Sequence, residues 1–203
     1  PDDYDVYSPV MLQHHKLRLR NGNEIMFHYI LNRYPDPNSF EHTLYISQVM
    51  QAEGVKTAIE ALRRNKPWSM GSLYWQLNDV WPVTSWSGLD YYGNWKALHY
   101  TVKKAYSPVL ISPVIENGRL RVYAVSDLPE DVTGTLKISS FQFNGPEWFQ
   151  DEKEINVPAN EKKRVAEIPL SAILQDISDT LNTVIHTSFK NSKTGQLTSN
   201  NLY

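Results

Sequence analysis

The sequence predicts two fold classes in succession: an α/β segment over residues 1–107 and an antiparallel β-sandwich over 108–203. Three observations point there. Apolar residues recur at helical spacing before Ser107-Pro108 and at alternating spacing after it. A short β-prone run at 70–77 lies between two helical patterns, as in an α/β unit. Gly, Pro and Asn divide the second half into short runs of strand length.

The clearest helix covers 39–64. Tyr45, Val49, Ala52, Val55, Ile59 and Leu62 step by three and four and draw one apolar stripe. Ser39 is its expected N-cap, with Pro35 and Pro37 just outside. Arg63, Arg64 and Lys66 sit where the negative end of the helix dipole favours cations, and Pro67 blocks continuation. Gly54 interrupts the run at a cost of about 1 kcal/mol against Ala. A weaker helix is expected over 23–33, opened by Gly22-Asn23. A third is expected over 94–106, with Trp95, Leu98, Val102 and Ala105 on one face, ending at Ser107-Pro108 because the residue before proline avoids the helical region. The run 70–77 reads as a buried strand, and a long loop follows over 78–93.

After Pro108 the expected strands are 109–116, 119–126, 133–143, 152–157, 163–170, 181–190 and 195–202. Asn117-Gly118 is a two-residue hairpin signal. Leu120, Val122 and Ala124 alternate with Arg119, Arg121 and Tyr123, so that strand has one buried face. Seven short strands of this kind predict an immunoglobulin-like sandwich, without the Cys pair of antibody domains.

Composition narrows the function classes. With 20 Lys+Arg against 22 Asp+Glu the formal net charge is −2, which argues against a phosphate-backbone binder. No nucleic-acid partner is therefore expected, and because no apolar run reaches about 18 residues no membrane partner is expected either. The absence of Cys removes disulfides, thiolate metal sites and Cys nucleophiles. A complete (β/α)8 barrel needs about 250 residues. The chain opens on Pro1 with an acidic, leaderless stretch to Asp5 and no initiator Met, the expectation for a processed protein or a piece of a longer one.

The stretch richest in chemistry is Tyr74-Trp75-Gln76-Leu77-Asn78-Asp79-Val80-Trp81-Pro82. It sets aromatics, amides and a carboxylate at the C-terminal end of a strand. Indole faces take the C–H face of a pyranose, and amides and carboxylates take its hydroxyls. A strand end packed with core aromatics is the bland reading, and both stay open. Asp79 and Asp90 flank the loop, but Asp in a turn more often bonds local backbone N–H groups than forms an acid/base pair. His14-His15, His28 and His42 lack acidic partners at ligand spacing, so no metal or other cofactor is expected. No phosphate-binding Gly loop, no G-x-S-x-G elbow and no N-x-S/T sequon occurs.

These residues carry a resemblance. The run Gln48–Gly54, then Arg63-Arg64-Asn65-Lys66-Pro67, then Gly71–Asp79, resembles the C-terminal part of the β-mannosidases of glycoside hydrolase family 2. Trp81-Pro82, Ser85-Trp86-Ser87 and Asp90 through Tyr100 continue it. The likeness is specific over about residues 8–110, and only the strand pattern extends it beyond. It implies a retaining exo-β-mannosidase acting on terminal β-mannosides. It also implies that residues 71–77 are the eighth strand of a (β/α)8 barrel, 39–64 and 94–106 its seventh and eighth helices, and the sandwich the first C-terminal module. Trp75 would floor the subsite of the terminal sugar, followed by a cis peptide to Gln76, with Asn78, Asp79 and Trp81 as further substrate-binding residues and Trp86 beside the mouth. The family's two catalytic Glu have no counterpart: Asn23-Glu24 opens a helix, Asn160-Glu161 sits in a turn, and Glu53-Gly54 lies within a helix. Both are expected upstream of Pro1, leaving this chain inactive alone and inclined to associate with the upstream polypeptide or with itself. Another family 2 specificity, exo-glucosaminidase or galactosidase, and a non-catalytic glycan-binding module are the alternatives.

Overall fold

The structure is a computed structural model describing residues 4–14, 21–143, 145–174, 180 and 182–203. Residues 1–3, His15 and Leu181, on which parts of the expectations fall, lie outside the described residues. The chain divides into two units, Pro1–Ile59 with Ser72–Ala105, and Glu60–Gly71 with Tyr106–Tyr203. No helix among the described residues is long and apolar enough to cross a membrane.

The first unit is helical. Helix α1 (Pro9–Gln13) is capped by Ser8, whose hydroxyl accepts from the Met11 amide at 3.2 Å, with Pro9 at the first helical position. Helix α2 spans Gly22–Leu31 and α3 spans Phe40–Arg64; the division between units falls inside α3, after Ile59. Ser39 caps α3 as expected, its Oγ accepting from the His42 amide at 3.1 Å. Helix α4 (Ala97–Ala105) begins later than expected, leaving Trp95 outside it. Leu98, Val102 and Ala105 are buried as the stripe predicted. On α3 the stripe holds at Ala52 and Ile59 and fails at Tyr45 and Leu62, which are exposed.

The expected strand at 70–77 is corrected: among the described residues this run joins no ladder and bends at Trp75 and Leu77. A parallel strand takes its hydrogen bonds from neighbours on both sides, and among the described residues only an isolated parallel bridge, Asn78 with Leu89, forms at its end. The peptide bonds Lys66–Pro67 and Trp75–Gln76 are cis, the second as the resemblance implied.

The second unit is the antiparallel sandwich. Its strands are β1 (Val109–Glu116), β2 (Arg119–Ser126), β3 (Val132–Gln142), β4 (Glu147–Val157), β5 (Lys162–Pro169), β6 (Thr183–Asn191) and β7 (Leu197–Leu202). They form two sheets, ordered β1-β2-β5 and β4-β3-β6-β7. Alternation sends Leu120, Val122 and Ala124 inward, where they join Ile111, Leu136, Ile138, Ile185 and Phe189 in one core. Asn117 (φ 52°) and Gly118 (φ 70°) make the β1–β2 hairpin with both turn residues left-handed, the geometry that matches strand twist. Strand β4 starts at Glu147, well before the expected 152, because its ladder to β3 rather than its own pattern defines it. The end of the expected strand 163–170 is instead a short helix, α5 (Leu170–Ile173). Both β4 and β5 lie at the edge of their sheets, and both carry charge: Asp151, Glu152, Lys153 and Glu154 on one, Lys162, Lys163, Arg164 and Glu167 on the other.

The basic residues at the end of α3 do more than answer its dipole. Glu60 is buried and accepts from Ser112 Oγ at 2.6 Å and Asn200 Nδ2 at 2.8 Å, while Arg64 donates to the same Ser112 hydroxyl at 2.6 Å. Arg63 donates to the Ser107 carbonyl at 2.9 Å and Asp127 Oδ2 at 2.7 Å. Burial lowers the pKa of its guanidinium, against the opposing pull of the Asp127 and Glu60 carboxylates. Lys66 Nζ donates to the Ser126 carbonyl, Asp127 Oδ1 and Asn160 Oδ1 at 2.7, 2.6 and 2.9 Å.

Candidate functional site

The candidate site lies in the first unit, where the run ending at Leu77 meets the loop that follows it. The loop folds back on that run through backbone bonds. Gly88 N donates to Gln76 O at 3.0 Å and Leu89 N to Leu77 O at 2.8 Å, while Lys96 N donates to Gly88 O at 3.0 Å. Glycine at 88 permits this approach: a Cβ there would stand 3.1 Å from the Tyr74 hydroxyl and 3.3 Å from His99 Nδ1.

Trp75 projects from this scaffold with 75% of its surface exposed, and Leu73 and Leu77 are exposed beside it in sequence. An indole so placed offers an apolar, π-electron-rich surface of the kind that takes the C–H face of a sugar. Asn78 is also exposed, and its Nδ2 donates to the Asp79 carbonyl at 3.1 Å.

Asp79 is buried within its own loop. It is 3% exposed, and its carboxylate is surrounded by donors from its own loop. Ser85 Oγ lies 2.7 and 2.9 Å from its two oxygens, Ser87 Oγ donates at 2.5 Å, and Lys96 Nζ donates at 3.0 Å. An ionised carboxylate leaving water needs such partners. The sequence reading did not single out Lys96, whose ammonium bonds both Asp79 and Ser87.

Trp81 is half-exposed, but its indole N–H already donates to the His14 carbonyl at 3.0 Å, and His14 Nδ1 sits 2.9 Å from the Pro82 carbonyl. Its edge is therefore tied to the end of α1. Trp86 lies along a cavity of about 440 Å³ that Met26, Leu44, Gln48 and Tyr91 also line, and none of Trp75, Asn78, Asp79 or Trp81 borders it. Asp90 forms a local turn, its Oδ1 accepting from the Tyr92 and Asn94 amides, both at 2.8 Å, and its Oδ2 from Asn94 Nδ2 at 2.8 Å. Against some desolvation, the hydrogen bonds from Asn94 and Tyr92 hold its carboxyl below the usual range. Asp79 and Asp90 thus each bond groups of their own loop.

Comparison with known proteins gives this arrangement its context. Residues 118–203 match the Mannosidase Ig/CBM-like domain family. The chain is 44% identical over 130 residues to a β-mannosidase of Capra hircus, covering 58% of this chain and 15% of that protein. It is 34% identical over 178 residues to a β-mannosidase of Mus musculus, covering 80% and 20%. The crystal structure of a β-D-mannosidase from Dictyoglomus thermophilum superimposes with a TM-score of 0.81 at 32% identity, over 91% of this chain and 22% of that one. The exo-chitosanase CsxA of Amycolatopsis orientalis shares the fold, with a TM-score of 0.75 at 22% identity over 88% and 21%. The chain therefore spans only 15% to 22% of the length of these relatives.

Proposed function

We propose that this chain, which belongs to the β-mannosidases of glycoside hydrolase family 2, is the C-terminal portion of a retaining exo-β-mannosidase. The observation that carries the reading is the joint agreement of sequence and fold with the Dictyoglomus thermophilum enzyme across both units. On this reading residues 71–77 are the eighth barrel strand and α3 and α4 the seventh and eighth barrel helices. The exposure of Leu73, Trp75 and Leu77 on a run with no ladder supports it, since a barrel strand is completed by neighbours from elsewhere in the polypeptide. Trp75 floors the subsite of the terminal mannosyl residue, with Asn78 at its rim and the face of Trp81 further out.

Retaining hydrolysis needs two carboxyl groups about 5–5.5 Å apart, one protonating the leaving oxygen and one forming the glycosyl-enzyme bond. The acidic residues weighed for these roles are otherwise placed. Glu24 lies in the first turn of α2, Glu53 lies within α3, and Asp79 and Asp90 are held by their own loop. Both catalytic Glu then belong to the upstream polypeptide, which is also this chain's partner.

The test is hydrolysis of aryl β-mannoside, β-glucosaminide and β-galactoside by the full polypeptide and by the 203-residue chain. The full polypeptide should prefer the mannoside, the isolated chain should cleave none, and Trp75→Ala in the full polypeptide should reduce kcat/KM. Cleavage by the isolated chain, or preference for another glycoside, would overturn the proposal.

A further inference from the structure

The loop from Asn78 to Lys96 is closed by a polar cluster of Asp79, Ser85, Ser87 and Lys96. Asp79 opens the loop with its side chain 1% exposed, and Lys96 closes it with its side chain 13% exposed. Between them Ser87 is fully buried and bridges the two, donating to Asp79 Oδ2 at 2.5 Å and accepting from Lys96 Nζ at 2.7 Å. Ser85 adds a second link to the carboxylate, and its hydroxyl also accepts from the Ser87 amide at 3.1 Å. The start, middle and end of the loop are thus joined at one point.

The residues that follow that point hold the backbone after Trp75. Gly88 and Leu89 come directly after Ser87, and their amides bond the Gln76 and Leu77 carbonyls. Lys96 contributes twice, since its own amide bonds Gly88 O while its ammonium bonds the cluster. A backbone pinned on its C-terminal side fixes the direction in which an otherwise exposed indole leaves the chain. A loop of this length without regular structure keeps one conformation only if such contacts over-determine it.

We infer that Asp79 and Lys96 are positioning residues for Trp75, acting through Ser85, Ser87 and the Gly88 and Leu89 amides to set the aromatic floor of the sugar subsite. This rests on the reading of Trp75 as that floor. Neither side chain touches the sugar.

The test has two arms. In the 203-residue chain, hydrogen exchange of the Gly88 and Leu89 amides is compared among wild type, Lys96→Met and the milder Ser85→Ala. Both substitutions should accelerate exchange, by about tenfold or more for Lys96→Met, with the sandwich amides unchanged. In the full polypeptide, aryl β-mannoside kinetics are measured for Trp75→Ala, Lys96→Met and the pair. Lys96→Met should lower kcat/KM by about tenfold, and adding it to Trp75→Ala should cost less than about threefold more, because residues acting on one contact are not additive. Unchanged exchange at 88 and 89, or losses that multiply in the double variant, would overturn the inference. If Trp75→Ala itself leaves kcat/KM unchanged, the subsite reading fails, and the exchange arm still reports on the clamp.

Discussion

Replacing Lys66 by Met tests how the sandwich unit holds the end of α3. The substitution keeps most of the aliphatic stem and removes a charged head that is 5% exposed as a residue. Three hydrogen bonds are lost, at 2.6–2.9 Å. Ser126 is fully buried, so its carbonyl loses a partner that water does not readily replace, at about 1–3 kcal/mol. Asp127 behaves differently. Its side chain is 49% exposed and it keeps Arg63 at 2.7 Å, so the charge left behind remains solvated and paired. The cost should therefore fall at or below the low end of the about 3–5 kcal/mol for breaking a fully buried pair. The balance is about 3 kcal/mol, and at about 2–4 °C per kcal/mol for a chain of this size the midpoint should fall by about 6–12 °C. Urea denaturation and calorimetry of the chain measure both quantities. The matched control is Lys193→Met, whose 3.5 Å contact with Glu130 joins side chains 78% and 69% exposed. It should cost no more than about 1 kcal/mol. If the two substitutions destabilise equally, burial is not what gives Lys66 its weight and the reasoning is wrong.

Two further predictions follow from other parts of the molecule. Gly134→Ala puts a Cβ 2.2 Å from the Lys190 carbonyl and 2.7 Å from the Phe189 ring, so β3 and β6 must part; a loss of about 3 kcal/mol or more is expected by urea denaturation, in the upper range for overpacking. Asp90 has its folded pKa below its unfolded one, so its turn is favoured above the unfolded value of about 3.9 and the advantage disappears as pH falls through the lower folded value. Exchange protection of the Tyr92 and Asn94 amides should decline over that acid range in wild type and should lack this step in Asp90→Asn.

Strands β1 and β2 were legible to the residue, because Asn117-Gly118 fixes the hairpin and period-two alternation fixes the buried face. Both signals are local. Strand β4 was read too short because its residues 147–151 hold their place through pairing with β3, and nothing in their own spacing records that. The run at 70–77 has strand composition yet no ladder here, since composition reports what a segment suits and not which neighbours it finds. The site divides in the same way. The sequence reading singled out Trp75 but set it on a buried strand, whereas its side chain is exposed. The direction of Asp79 depended on Lys96, seventeen positions away in the chain, and on two small hydroxyl side chains that carry no pattern of their own. Helix α1 was missed although Ser8-Pro9 is a start signal, because five residues are too few to show a period.

The charged outer strands of the sandwich have a consequence for the life of the chain in a crowded solution. An open sheet edge invites another chain to add a strand, and lysine, glutamate and aspartate along that edge oppose the addition. Strands β4 and β5 present such side chains to any incoming backbone. When copies of this chain meet before folding is complete, those two edges are thus guarded against runaway strand stacking, whereas the outer strands β1 and β7 carry only Glu116 between them. Clumping, where it occurs, should begin at the exposed apolar residues Leu73, Trp75 and Leu77, and charged substitutions there should suppress it while those on β4 and β5 should not.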